Sequence, residues 1–485
     1  MISNEQAYDK KTFWRSLWGL VAVSALMKAT GGAGFVAVAF FALLAMLNGN
    51  VKLMLYGLIV ANCALLGNSW FFPKDLVFAI SHRSLMMLLG ICLAVKVFGG
   101  CSYRVLSPFA LIIPYVVYMI IPSLGGWSPA VSILKIILFA LVFIAYIGAS
   151  KVTLASRRIG VREARAMILA ALAFFIFGSV VLFAFPGIGY MGQADILNDP
   201  RFAQDIAAGN VVSLYKGMTW HSQTLGPLIS MFCVFLIGDL LFNVRRSNKL
   251  YLSMIAVCPF LVYRTSSRTA MSVLVCGIFA LLFMFQSSRR IAITWKSRVM
   301  NISASLVIPL FVILFTIPSV REGAIRFALK YSTDVDSSTH LEMREVMSSR
   351  QGLIDEALYN WRKKPLLGNG FQVSEIMQYD KRSGIKDYLS APIEKGVWVT
   401  AVLEEGGIIG LILFCLFWIP AVLALWSSGH CATSALLLSF IIMNMAEFTI
   451  FSMSAVGGFL WAIIFIMAIL EGKQKEEDAM IRLLD

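Results

Sequence analysis

Charge is scarce in this 485-residue chain: Asp, Glu, Lys and Arg make up 14% of it, against 59% apolar residues. A water-soluble domain carries roughly a quarter of its residues charged, so this composition excludes one, and a mean hydropathy of +0.79 points to an integral membrane protein. Histidine is rare, four in all. All eight cysteines (Cys63, Cys92, Cys101, Cys233, Cys258, Cys276, Cys415 and Cys431) fall in apolar runs or at their edges. Disulfides are therefore not expected, and no spacing typical of a metal site occurs. No internal repeat of the kind many transporters carry is evident. The charged stretch Met1 to Arg15 precedes no small-residue cleavage site, so a removable signal peptide is not expected.

What is abundant is apolar sequence of membrane length. Runs bounded by polar turns predict an all-α polytopic membrane protein, one domain over residues 1–485 with about 14 (12–14) transmembrane helices. The expected spans are 16–31, 33–48, 53–68, 84–98, 107–121, 130–148, 166–185, 222–241, 250–263, 270–286, 300–318, 402–426, 431–448 and 453–470. Three short turns hold basic residues: Lys151, Arg157, Arg158, Arg162 and Arg165; Arg245, Arg246 and Lys249; Arg289, Arg290, Lys296 and Arg298. The only acid among them is Glu163, and the positive-inside rule assigns all three turns to the cytoplasm, with both termini. The net charge of +14 is then mostly topological, and a nucleic-acid partner is not expected.

Counted outward from those turns, two segments face away from the cytoplasm: 186–217, and a large polar loop at 319–398. The large loop is where water-borne chemistry is expected. Apolar residues at Leu341, Val346, Met347, Leu353, Ile354, Ala357, Leu358 and Trp361 recur near helical period, after Ser338 and Thr339 as N-caps and before Pro365 and Gly368 as stops. An amphipathic helix is expected there, with Arg344, Arg350, Glu345 and Glu356 on its polar flank. The pair Asp334 and Asp336 reads as a turn rather than a metal-nucleotide site.

Several side chains carry candidate chemistry. Arg264 and Arg268 flank Thr265, Ser266 and Ser267 in an outward turn, and planar guanidinium donors suit a phosphate or diphosphate; helix-end arginines that snorkel are the bland alternative. Glu394 sits beside Lys395 just outside a span, where a carboxylate can act as general base. Glu404 and Glu405 precede a glycine-broken helix start, where a carboxylate is stabilised by the helix dipole whatever else it does. His221 opens the span after the first outer loop, a place for an interfacial hydrogen bond or for substrate binding.

The order of Ser266-Ser267-Arg268, then Arg350 ahead of Ala357-Leu358-Tyr359-Asn360-Trp361, then Lys364-Pro365-Leu366-Leu367-Gly368-Asn369-Gly370-Phe371, then Leu403-Glu404-Glu405-Gly406-Gly407-Ile408-Ile409-Gly410 resembles the O-antigen ligase and Wzy-type polysaccharide polymerase superfamily over roughly Gly217 to Leu425. The resemblance implies a bacterial inner-membrane enzyme that uses undecaprenyl-diphosphate-linked oligosaccharides as donor and acceptor on the outer leaflet, without a cofactor, metal or nucleotide sugar. A chain-length regulator is a further partner it allows. The ligase branch carries a histidine shortly before the Glu-x-Gly segment, and Glu394-Lys395-Gly396 stand there here, which favours a polymerase of exopolysaccharide, capsule or O-antigen. The expected roles are Arg264, Arg268 and Arg350 on the diphosphate, Glu394 as base with His340 and Glu405 in reserve, and His221 and Lys395 on the substrate. A ligase and a transporter remain the alternatives.

Overall fold

The computed structural model describes residues 8–48, 51–73, 104–155, 161–191, 214–243, 248–265, 267–287, 348–373, 395–446, 448–452 and 456–484, with scattered positions between 75 and 88. Among them the chain is helical, with two isolated β-bridges in place of a sheet. The helices are α1 (Lys10–Thr30), α2 (Gly32–Leu47), α3 (Val51–Leu66), α4 (Ile113–Tyr118), α5 (Ile120–Leu124), α6 (Pro129–Ala155), α7 (Val161–Leu182), α8 (Ser222–Phe242), α9 (Lys249–Arg264), α10 (Arg268–Ser287), α11 (Ser348–Lys363), α12 (Trp398–Ser427), α13 (Cys431–Met443) and α14 (Val456–Leu484). Five stretches of the described residues are long and apolar enough to cross a membrane: Arg162–Leu182, Ser222–Phe242, Arg268–Phe285, Trp398–Ser427 and Val456–Glu476. Five shorter apolar helices accompany them, so the chain is a helical membrane protein.

Two expectations change. The span expected over 107–121 is three pieces, a 3-10 helix over Arg104–Ile112 followed by α4 and α5. Pro108, Pro114 and Pro122 each remove an amide donor from this run, which prevents one continuous helix. The helix expected from 402 begins at Trp398, with consequences for Glu404 and Glu405 taken up below. The spans expected at 84–98 and 300–318 lie wholly or mostly outside the described residues, as do Asp334, Asp336, and the parts of the two outer segments at 192–213, 319–347 and 374–394.

Hydrogen bonds sort the helix ends onto two faces of the bundle. At the near end, Asp9 caps α1 by accepting from the Thr12 amide at 3.0 Å, and its own amide donates to the Arg162 carbonyl at the start of α7. At the far end, Asn68 after α3 donates to the carbonyls of Ile188 and Gly217 at 2.9 and 2.8 Å, tying both ends of the first outer segment to the bundle. The Trp398 amide at the start of α12 donates to the Asn444 carbonyl just past α13, which places these two termini on one face. α8 runs through the centre, buried along almost its whole length between α9, α10, α13 and α14. Beside it Trp461 is fully buried, donates its indole N–H to the Ile450 carbonyl at 2.8 Å, and meets Phe143 and Phe440 edge-on.

Three helices are pinned by one buried carboxylate near the near end. Asp239 of α8 accepts from Arg165 Nε of α7 at 2.9 Å, from Tyr251 Oη of α9 at 2.5 Å and from Asn243 at 3.0 Å. Arg165, counted above among the topological basic residues, is thus spent on an interior ion pair. Both partners are sealed from solvent, and removing one strands the other charge. Asp239→Ala is expected to cost about 3–5 kcal/mol, read as a large drop in the thermal midpoint of the solubilised protein. A midpoint within a degree or two of the parent contradicts the network's role.

Candidate functional site at the break in helix α12

Gly407 interrupts α12 with φ 64° and ψ −165°, a left-handed backbone that glycine adopts without strain. The nine residues Trp398 to Gly406 form one half-helix of about 13 Å, and the twenty from Ile408 to Ser427 form another of about 30 Å, enough by itself to cross a hydrocarbon core. A break of this kind leaves carbonyls of the first half and amides of the second without partners in their own helix.

The segment Pro365 to Gly370 supplies those partners. The Asn369 and Gly370 amides donate to the carbonyls of Glu404 and Glu405 at 2.9 and 3.0 Å. In return the Ile408 and Ile409 amides donate to the carbonyls of Pro365 and Leu366 at 2.9 and 3.4 Å. Tyr118 Oη on α4 reaches the Gly406 carbonyl at 2.9 Å and the Leu366 carbonyl at 3.3 Å, joining segment and break. Gly368, at φ 76°, lies so close to the Glu405 carbonyl that a β-carbon would collide with it. The segment is held from behind as well: Phe371 N donates to Ser123 Oγ at 3.2 Å, Ser132 Oγ to the Phe371 carbonyl at 3.0 Å, and Lys135 Nζ to the Gln372 carbonyl at 2.8 Å. Two of the four segments that carry the resemblance, Lys364–Phe371 and Leu403–Gly410, are therefore one structural unit.

Charge collects at this joint. Glu404, Glu405 and Lys395 are 3%, 0% and 4% exposed. Lys395 Nζ lies 3.1 Å from Glu404 Oε2 and 3.3 Å from Glu405 Oε1, ion-pair distances without hydrogen-bond alignment. Burial alone pulls the Lys395 ammonium down, and the two carboxylates outweigh it and hold the group above the ordinary lysine value. Lys135 of α6 is in electrostatic reach of Glu405. Two glutamates and two lysines thus balance in an interior that tolerates no net charge. Asn360 of α11 donates to Glu404 Oε1 at 3.0 Å, and Asn369 Nδ2 donates to the Asn360 carbonyl at 2.9 Å, so the amphipathic helix is bonded into the same joint. Tyr115 is buried nearby, stacked on Phe451 at 5.2 Å between ring centroids.

Glu404 and Glu405 do precede a glycine-broken helix start, that of the second half-helix at Ile408, but they also end the first half-helix, so two opposed dipoles meet beside them and Lys395 supplies the counter-charge. Lys395 and Glu405, expected on substrate and in catalysis, are brought together here. Arg264 lies apart, at the end of α9, donating Nη2 to Tyr190 Oη at 3.0 Å with its guanidinium over the Phe183 ring. Arg268 opens α10, half-buried, behind Ser267, whose Oγ accepts from the Ala270 amide at 3.2 Å. His221 caps α8, its Nδ1 accepting from the Gln223 amide at 3.1 Å. Arg350 lies in the first turn of α11, while Glu394 and His340 lie outside the described residues. Sequence reasoning missed Lys135, Tyr118, Asn360 and Asn369 as partners of the joint. Lys135 had a visible signal, the one cation in the expected span 130–148.

No family model and no curated protein matches this chain.

Two glycines of the Glu405-Gly406-Gly407-Ile408-Ile409-Gly410 motif serve as a test of the joint. A β-carbon on Gly407 collides with the Leu366 carbonyl and demands a left-handed conformation, whereas one on Gly410 meets Tyr118 Cε1, the Val402 carbonyl and Met119 Sδ at 3.5, 3.8 and 3.9 Å, all ordinary contacts. Gly407→Ala is expected to cost about 1–3 kcal/mol or more, and Gly410→Ala about 0.5 kcal/mol or less, in paired thermal denaturation. Equal effects contradict the splinted break.

Proposed function

We propose that this protein is a metal-independent glycosyltransferase of a bacterial cytoplasmic membrane, a polymerase of a surface polysaccharide working on undecaprenyl-diphosphate-linked repeat units at the face away from the cytoplasm. One observation carries the reading: two of the four segments on which the resemblance rests, Lys364–Phe371 and Leu403–Gly410, meet residue against residue, and the amphipathic helix bearing Arg350, a third, is bonded to them.

In the proposed reaction a hydroxyl at the non-reducing end of one lipid-linked glycan attacks the anomeric carbon of another. The new C–O bond forms as the bond to the diphosphate breaks, the hydroxyl proton passes to a base, and undecaprenyl diphosphate leaves. Arg264, Arg268 and Arg350 are assigned to the leaving diphosphate, which planar donors hold two-pronged. Arg268 has the better placement for this, because it opens a capped helix whose positive end favours an anion. Arg264 shares its donors with Tyr190. Glu394 is the assigned base, with His340 and Glu405 in reserve, and Glu405's burial beside Lys395 sets it behind Glu394 in that order. His221 keeps its assignment to a substrate contact on sequence grounds, whereas the burial of Lys395 between two carboxylates turns it away from one.

A transporter is the second reading, since a broken helix beside buried charges is how many carriers build a midplane ion site. Here the half-helix lengths set the break about 13 Å from one end of α12 and about 30 Å from the other, away from the middle of the helix. That position favours the enzyme reading.

Purified protein supplied with lipid-linked repeat units separates the classes. Longer glycans are expected; transfer to a different acceptor marks a ligase, and the absence of any new glycosidic bond overturns the enzyme reading. Arg268→Lys keeps the charge and loses the two-pronged geometry, so chain extension is expected to fall about tenfold or more. Unchanged output removes Arg268 from the diphosphate.

A further inference from the structure

We infer that Lys395 is a positioning residue, the buried counter-charge that keeps α11 docked on the break of α12. Its service to the proposed transfer rests on the glycosyltransferase reading; the docking itself does not. The chain of contacts runs through three residues. Lys395 Nζ stands between the carboxylates of Glu404 and Glu405. Glu404 uses its other oxygen to accept from Asn360 on α11. Asn360 in turn offers its carbonyl to Asn369, whose amide bonds the Glu404 carbonyl. The ammonium is 4% exposed and lies in ion-pair contact with both carboxylates, so its charge is turned inward, onto the joint rather than toward a ligand.

Physical chemistry makes this role specific. Two adjacent buried carboxylates repel each other and resist desolvation, and Lys135 balances only one of them. Without Lys395, Glu404 and Glu405 must shed charge, take up a proton or let water in. Each course disturbs the oxygen that Asn360 binds. The remedy follows from charge counting: neutralising Glu404 in the same protein leaves Glu405 to Lys135, while a glutamine at 404 still offers a carbonyl oxygen to Asn360. A lysine that touched substrate directly would gain nothing from that second change.

The test uses Ala357, buried on α11, as a reporter. In full-length protein in membranes, Ala357→Cys is expected to resist a membrane-impermeant charged maleimide. Adding Lys395→Met is expected to raise the labelling rate about tenfold or more, and adding Glu404→Gln to that variant to restore protection. In the chain-extension assay Lys395→Met is expected to lose output, with the Lys395→Met/Glu404→Gln double variant recovering most of it. Protection that survives Lys395→Met overturns the inference, and so does labelling that stays high in the double variant. If the labelling pattern holds while the parent protein extends no glycan, the docking role stands and the glycosyltransferase reading alone falls.

Discussion

A membrane-length helix broken inside the protein must find partners for the backbone groups it uncovers, and in this protein that requirement organises everything around α12. Gly407 turns the chain left-handed and, like Glu404, Glu405 and Gly406, is buried away from water. Residues Pro365 to Gly370 repair the ladder, donating to one half-helix and accepting from the other. Each such bond is worth only about 1 kcal/mol net in water, but an unmade one costs several in a lipid-like interior. The segment is therefore an integral part of the membrane helix although it lies some forty residues away in sequence.

The break also dictates the charges. By ending the first half-helix at Gly406, it leaves Glu404 and Glu405 inside the protein, between the negative end of one half-helix and the positive end of the next. Lys395 and Lys135 restore neutrality from two different directions, one from the chain just before α12 and one from α6. Because Glu404 is also the anchor of Asn360, backbone repair and charge balance converge on α11. The same logic operates at the opposite end of the bundle, where Asp239 gathers α7, α8 and α9 through bonds inside the core.

Much of this was legible in the sequence, and the failures have physical causes. Apolar runs located most helices because lipid imposes length and composition on a span. The stop of α11 before Pro365 could be read from proline, and the importance of the Pro365–Gly370 and Glu405–Gly410 segments from their resemblance to a family. The start of α12 could not, because Val397 at its N-cap offers no side-chain hydrogen bond, leaving nothing in the sequence to mark Trp398. The half-helix that begins there carries Glu404 and Glu405 into the protein interior, a burial that no residue type announces. The contact between the two motifs was equally invisible, since backbone hydrogen bonds between distant segments leave no residue-type signature beyond the glycines that permit close approach. Prolines 108, 114 and 122 were readable as breakers, yet the apolar run around them outweighed the signal.

Amide hydrogen exchange in a lipid nanodisc reads, residue by residue, whether the Pro365–Gly370 segment completes the ladder of α12. If it does, the amides of Asn369, Gly370, Ile408 and Ile409 exchange slowly and at a common rate, close to that of the α12 span itself. Rapid exchange of Asn369 and Gly370, at the rate of an open loop while α12 stays protected, would contradict that role of the segment.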